Sequence, residues 1–384
     1  MIDPFSFSSD VGDVKVYWTL QIVFYLSMII CGRGISFSNR IVSNRYCIAT
    51  VVIFSVYEGL RWLRGADYAH YYTDLTKGIV SSDPEPLYRL IVSIFSNFPF
   101  YYAFIFYGFL LICPLVLLLK RHKKEAYWIL PLFIIMVSGS FESHVRQYIA
   151  IGFFLFGFYF WLYDKKIVST LFFVLTIMTH LAVSFPIVVF FICVATYNLR
   201  FEIKPVWIIL ALFTYFYWFW DVSYLGDYIP YLKYIKLDEN SAFIGYVDNS
   251  ERWFTEEGSI AYRTGTSTRA AIITVTIFYL LNAMTIYIGY FFRKHSLELN
   301  VFFWFTYWAL IIKSIAGDIE MILRFNTMLM YMTPLLMGII VYKTKSQLTQ
   351  GVYKILILLY YFVYIFLLHI GTRPYAGCGY IWDR

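Results

Sequence analysis

A chain of 384 residues that is 60% hydrophobic and 22% aromatic, with 14% charged side chains, excludes a water-soluble globule and defines a membrane protein. The net charge of +7 requires no nucleic-acid partner, because its basic residues sort by membrane side. The five cysteines, Cys31, Cys47, Cys113, Cys193 and Cys378, have no CxxC spacing and sit in or beside apolar runs, where they read as packing residues.

The start, "MIDPFSFSSDVGDVK", holds Asp3, Asp10 and Asp13 and lacks the basic region of a secretory signal, so the first hydrophobic segment is expected to stay as an anchor. A hydrocarbon core about 30 Å thick needs roughly 20 apolar residues per helix. Windows of that kind predict helices near 16–31, 42–60, 99–119, 126–140, 145–163, 167–179, 181–198, 206–220, 270–292, 300–315, 324–342 and 353–370. The expected fold is therefore all-α, a single polytopic helical bundle over 1–384 with about 12 transmembrane helices, within a range of 11–14. Pro131, Pro186 and Pro334 fall in or near windows that they can kink.

Alternate connectors read "RGISFSNRIVSNR", "KRHKKE", "DKK", "RFEIK", "RKHSLE" and "YKTKSQLTQGVYK". Together they carry 16 Lys and Arg against four acids, Glu125, Asp164, Glu202 and Glu298. The rest of the chain holds 15 basic and 20 acidic residues. By the positive-inside rule the first set is cytoplasmic, which puts both termini outside, with extracytoplasmic loops near 61–98 and 221–269.

The outer side then collects the unusual residues. "GLRWLRGADYAHYYTDL" brings Arg61, Arg64, Asp67, Tyr71 and Asp74, and "DPEPLYRL" brings Glu85. "SFESHVRQYIA" adds Glu142, His144, Arg146 and Gln147; "MTHLAVSFP" adds His180. Arg269, then Asp318, Glu320 and Arg324 in "GDIEMILRF", and Arg373 in "GTRPYAG" complete the set. A charge within a span costs about 2.5–3.5 kcal/mol on insertion scales, so Arg146, His180 and Arg324, near helix ends in apolar sequence, are expected to face a polar pocket.

Each of these charges also has a plainer reading. Arg61 and Arg64 can reach lipid phosphates along the interface. Glu142 with Arg146, and Glu320 with Arg324, have the i,i+4 spacing of helix-stabilising pairs, and His180 fits an interfacial histidine. Against these stands convergence, since five segments bring arginine, histidine and carboxylates to one side. The connector 221–269 is polar and Tyr-rich, with an amphipathic stretch near Tyr228–Leu237, and reads as a lid or glycan platform or as a plain solvated loop.

Arginines on a pocket open to lipid suit a phosphate or pyrophosphate head group, since guanidinium forks bind phosphate oxygens bidentately and stay charged. They can also stabilise a departing pyrophosphate. With no HExxH, DxD or clustered His/Cys set in the sequence, no cofactor and no obligatory metal is expected, although Asp67, Asp74 and Glu85 leave a carboxylate site open. A hydroxyl acceptor needs a proton acceptor, a role open to His180 or to a pocket carboxylate such as Asp67 or Glu142.

"R..RGADYAHY" after an early helix, "EPLY" at Glu85–Tyr88, "RQYIAIGFFLF", "THLAVSFP" and "LRFNTMLMY" resemble the EpsG-like branch of Wzy-type polysaccharide polymerases. The family's early signature, R then G-x-D-x-x-x-Y then E-x-x-Y, is matched by Arg61 or Arg64, Gly65, Asp67, Tyr71, Glu85 and Tyr88. Leu87 departs from the glycine expected there, and the long outer loop matches no motif of the family. The resemblance implies a multi-pass glycosyltransferase of the bacterial inner membrane, working on its periplasmic face as in O-antigen or capsule biosynthesis. It would join repeat units carried on undecaprenyl pyrophosphate, amid membrane lipid and with a chain-length regulator protein as a partner. In that reading Arg146, Arg324 and Arg61 or Arg64 bind the donor pyrophosphate. Asp67, His180 or Glu142 activate or orient the acceptor, and Gln147, Tyr71 and the outer loop contact sugar, with Glu85 on the binding side. A glycan ligase shares this pocket logic. A transporter of lipid-linked sugars or a non-catalytic scaffold of an export assembly fits less well, for want of repeat symmetry in the one and because the other has no need of His180 and Arg324.

Overall fold

A computed structural model describes residues 12–65, 67–78, 85–199, 205–220, 268–316, 320–363, 365 and 377–383. Among the described residues there are fifteen α-helices, short 3-10 turns and no strand. They are α1 (Val14–Phe37), α2 (Arg40–Gly59), α3 (Tyr68–Lys77), α4 (Pro86–Phe95), α5 (Phe100–Arg121), α6 (Ala126–Ser143), α7 (Val145–Leu162) and α8 (Lys166–Thr179). The chain continues through α9 (Ser184–Asn198), α10 (Val206–Trp218), α11 (Thr268–Phe292), α12 (Leu297–Ala316), α13 (Glu320–Met330), α14 (Thr333–Lys343) and α15 (Gln347–Phe362).

Polar residues at the connectors start several helices. Asp13 accepts from the Lys15 and Val16 amides at α1, Asn39 from Val42 at α2, and Ser346 from Thr349 at α15, each satisfying a donor that a helix end leaves open. Each predicted apolar window carries a helix. Among the described residues six helical segments are long and apolar enough to cross a membrane on their own, and α13 with α14 makes a seventh as a bent pair. In that pair the predicted helix over 324–342 breaks at Tyr331–Met332 with a 44° bend, just before Pro334, which cannot continue the preceding helix and instead begins α14. Pro131 is held inside α6, and Pro186 sits in the first turn of α9, where its missing amide costs nothing.

The stretch 61–98, expected as loop, contains α3 and α4. Tyr68, Tyr71 and Leu75 recur at helical spacing and are buried, while Pro86 pre-sets the first turn of α4 above Tyr88, Ile91 and Val92. Each is about 15 Å long, half of a span. The predicted loop 221–269 with its Tyr228–Leu237 stretch, the N-terminal residues 1–11, Asp318 and Arg373, and the side chains of Arg269 and Glu320, lie outside the described residues.

The centre of the bundle is α5, α6 and α7, about two thirds buried, whereas α1, α9 and α11 are one third buried and turn their other faces outward. α1 and α14 pack on α6, α2 on α5, and α5 and α8 on α7. The exposed face of α8, Ile167, Leu171, Val174 and Met178, is the apolar surface lipid requires. The cysteines are free thiols, all buried except half-buried Cys113.

The connectors gather at two ends. At one, Glu298 takes Arg121 at 3.3 Å and His122 at 2.9 Å, and Lys123 donates to the Ser38 carbonyl at 2.6 Å. These are the basic connectors. At the opposite end the two ends of the described chain meet: the Cys378 thiol lies 3.4 Å from the Gly12 carbonyl.

Candidate functional site

Two polar clusters form at this second end, built from the residues the sequence singles out. The first is sealed. Gly65 adopts φ +108°, and a Cβ there would fall 2.0 Å from the Glu142 carbonyl oxygen, so only glycine lets the 61–67 turn lie on the end of α6. The turn carries Arg64 inward, where its Nε donates to Glu142 Oε1 at 3.1 Å and its Nη2 makes a second bond to the same oxygen. The Arg64 side chain is 0% exposed and that of Glu142 5%. Tyr17, Tyr57 and Tyr380 present their rings to the guanidinium at 5.4, 5.1 and 4.9 Å.

Tyr380 arrives from the far end of the chain. The Trp62 amide donates to the Gly379 carbonyl and the Ile381 amide to the Leu60 carbonyl, both at 2.9 Å, so residues 379–381 strap the turn from outside. Arg61 points into the bundle, 3.9 Å from Glu58 and also fully buried. Neither arginine extends along the interface. Glu142 pairs with Arg64, not with Arg146 four residues on, because α6 ends at Ser143 and a new helix starts at Val145.

The second cluster is open. Glu85 stands at the N-terminus of α4 but caps no amide, which leaves its carboxylate to reach across. One oxygen bonds His180 Nδ1 and accepts the Leu181 amide at 3.3 Å; the other lies 3.5 Å from Arg146 Nη1. His180 is in extended conformation between α8 and the turn leading to α9, and the packing of α4 on α8 brings it to Glu85. Arg146 lies in the first turn of α7, at the helix end where a cation is disfavoured, so helix stability does not account for it. Its side chain is 31% exposed and that of His180 25%, against 8% for Glu85.

Around them Tyr88 faces the Arg146 guanidinium at 5.3 Å and donates to Asp74 at 3.5 Å, while the Arg146 amide donates to the Tyr71 hydroxyl at 3.5 Å. Burial, with Asp67 adding to it, pushes the Tyr71 phenol up to about 12, so it stays protonated at neutral pH. Asp67 stands at the start of α3, half-exposed and without a capping bond. Gln147 donates to Thr327 Oγ1 at 2.7 Å and to the Arg324 carbonyl at 3.1 Å, which ties α7 to α13 and sets half-buried Arg324 beside this end.

Thus Glu85, Arg146 and His180 come together, with Tyr71 at their edge and Gln147 behind them. Arg61, Arg64 and Glu142 form separate buried pairs. Sequence reasoning gave no role to Tyr380 or Thr327, whose partners are remote, and named Asp74 and Tyr88 without joining them. Their i and i+14 positions on successive short helices become readable once α3 and α4 are recognised.

A helical membrane protein with a buried guanidinium-carboxylate brace and an adjacent open Arg-Glu-His cluster at one end of the bundle is the class these observations define. A family model described as the EpsG family matches residues 44–376, and the chain belongs to that family, one of Wzy-like polysaccharide polymerases. Membership suggests a membrane polysaccharide polymerase acting on a lipid-linked glycan. Comparisons with curated proteins and with solved structures gave no match.

Proposed function

We propose that the chain polymerises oligosaccharide repeat units carried on undecaprenyl pyrophosphate, at the outer face of a bacterial inner membrane, with Glu85, His180 and Arg146 at the reacting centre. The observation that carries this reading is the single carboxylate of Glu85 shared between His180 Nδ1 and Arg146. With Nδ1 engaged, Nε2 of His180 is the nitrogen left for chemistry, and Glu85 is a positioning residue that fixes the tautomer and steadies the imidazolium.

The acceptor hydroxyl attacks the anomeric carbon of the donor glycan. A carbon-oxygen bond forms, the bond from that carbon to the pyrophosphate oxygen breaks, and the hydroxyl proton passes to His180 Nε2. The polyprenyl pyrophosphate leaves with the bonding electrons, its charge met by Arg146 and Arg324. Asp67 and Tyr71 line the acceptor side, Tyr71 as a neutral hydrogen-bonding phenol. Gln147 holds Arg324 in place through the α13 backbone. Arg61, Arg64 and Glu142 act by bracing the 61–67 turn under Asp67, out of contact with substrate.

Both chain ends and the connectors near 61–98 and 221–269 lie outside in this reading, and the twelve spans are α1, α2, α5 to α12, the α13–α14 pair and α15. A chain-length regulator would dock on the same outer face.

The test uses the full chain in nanodiscs with an undecaprenyl-pyrophosphate-linked repeat unit. Wild type is expected to give a ladder spaced by one repeat. His180→Ala, Arg146→Ala and Arg324→Ala are each expected to lower it by about 10²-fold or more. A normal ladder from both arginine variants would remove the donor site from this end; a single addition without a ladder from wild type would indicate a ligase.

A further inference from the structure

Where α2 packs on α5, four buried polar side chains have hydrogen-bonding capacity that the protein does not use. Ser55, Glu58, Arg61 and Tyr107 are 4%, 0%, 0% and 0% exposed. The Ser55 hydroxyl, both Glu58 oxygens, all three Arg61 guanidinium nitrogens and the Tyr107 hydroxyl have no hydrogen-bond partner in the protein. The nearest approach between charges, Arg61 Nη1 to Glu58 Oε2, is 3.9 Å, an ion pair too long to be a hydrogen bond.

The surroundings explain where partners must lie. Phe104 and Phe141, with centroids 4.6 and 5.4 Å from the Arg61 carbon, cover the guanidinium with apolar rings. Its N–H groups point in its plane, where no protein acceptor stands. α5 is drawn against α2 at this level, since a Cβ on Gly108 would come 3.1 Å from Ser55 Cα and 3.4 Å from Glu58 Cβ. Ser55 and Glu58 therefore share the α2–α5 contact, and the Arg61 guanidinium approaches Glu58 from the turn that follows.

Buried polar atoms without partners in folded proteins are as a rule satisfied by internal water. The mixture is amphoteric. Arginine supplies only donors, the carboxylate only acceptors, and the two hydroxyls supply both. A lone anion would leave Glu58 unmatched and a lone cation would leave Arg61 unmatched, whereas water serves each. We infer that Ser55, Glu58, Arg61 and Tyr107 form an internal hydration site that holds a small cluster of water molecules within the bundle. Water bridging Glu58 to Arg61 supplies the hydrogen bonds that the protein does not and keeps the start of the 61–67 turn in register. Arg61 belongs to the same turn as Arg64, so the site adjoins the buried brace.

Synchrotron hydroxyl-radical labelling of the full chain in nanodiscs, read by mass spectrometry after mixing into H₂¹⁸O, tests this inference. Tyr353 is the dry control, being fully buried with its hydroxyl 2.6 Å from that of Thr285. Tyr107, Phe104 and Phe141 are expected to take up oxygen at least about fivefold more than Tyr353, from water that exchanges slowly with bulk. Labelling of all three at the Tyr353 level would overturn the inference. In the apolar variant E58L/R61L, labelling of Phe104 and Phe141 is expected to fall to the control level. If that variant does not fold, S55A/Y107F serves, with labelling of the two phenylalanines expected to fall. Unchanged labelling in whichever variant folds would mean that radicals reach the rings from bulk solvent, and would equally overturn it.

Discussion

Glu85 shows how much one side chain's surroundings decide. As the first residue of "EPLY", in a stretch expected as loop, it stands out in the sequence only as one carboxylate among several on the outer side. The structure gives it His180 and Arg146, partners 95 and 61 residues away. Its neighbour Asp74 yields a prediction of its own. Burial pushes the Asp74 carboxyl upward, outweighing the opposing pull of Arg146, His70, the Tyr88 hydroxyl and Lys77. A folded-state pKa above the unfolded one means the fold binds this proton more tightly. Its contribution is therefore fully present below the unfolded value, near 4, and is lost as pH rises through the folded value. Asp74→Asn should remove that loss, so its melting temperature should rise relative to wild type across this window and then hold a constant gap. Parallel curves from acid to neutral pH would refute the assignment. The residue types of the site were legible in the sequence because charge is conspicuous in an apolar chain. Their pairing was not, because a contact across 61 or 95 residues leaves no local periodicity to read.

At the scale of elements, the 61–67 turn is held by three separate pieces, namely the end of α6, the start of α1 and the strap at 379–381. The brace reading of Arg64 and Glu142 separates cleanly from a substrate-binding one by a double substitution. Arg64→Met alone leaves a buried carboxylate uncompensated and is expected to cost about 3–5 kcal/mol. Arg64→Met with Glu142→Met should recover most of that stability, and should also recover most of the polymer ladder. A double variant as stable as wild type but without product would return Arg64 to the substrate. The same scale shows where periodicity served and where it failed. Every long apolar window became a helix, since a 20-residue run has one low-cost conformation in lipid. The short amphipathic helices α3 and α4 depend on local tyrosine spacing, a signal a 20-residue window averages away, whereas the break before Pro334 falls at a proline that the sequence marks as able to kink its window.

For the whole molecule, the connectors divide between two ends, one tied by Arg121, His122 and Glu298, the other by the brace and the open cluster. The described basic residues Arg121, His122 and Lys123 lie at the first of these ends. In a cysteine-free background, a cysteine at Lys77 should react with a membrane-impermeant maleimide added to intact spheroplasts, and one at Lys124 only after permeabilisation; the reverse order would invert the proposed topology. The strap adds a matter of timing. Tyr57 and Tyr380, whose hydroxyls lie 3.2 Å apart, are separated by 323 residues. A ribosome adding about 5–20 residues per second takes on the order of tens of seconds to traverse that distance. Throughout that interval the nascent turn has Arg64 uncovered by Tyr380, and this end of the protein is finished only when a late-made segment returns to an early-made one.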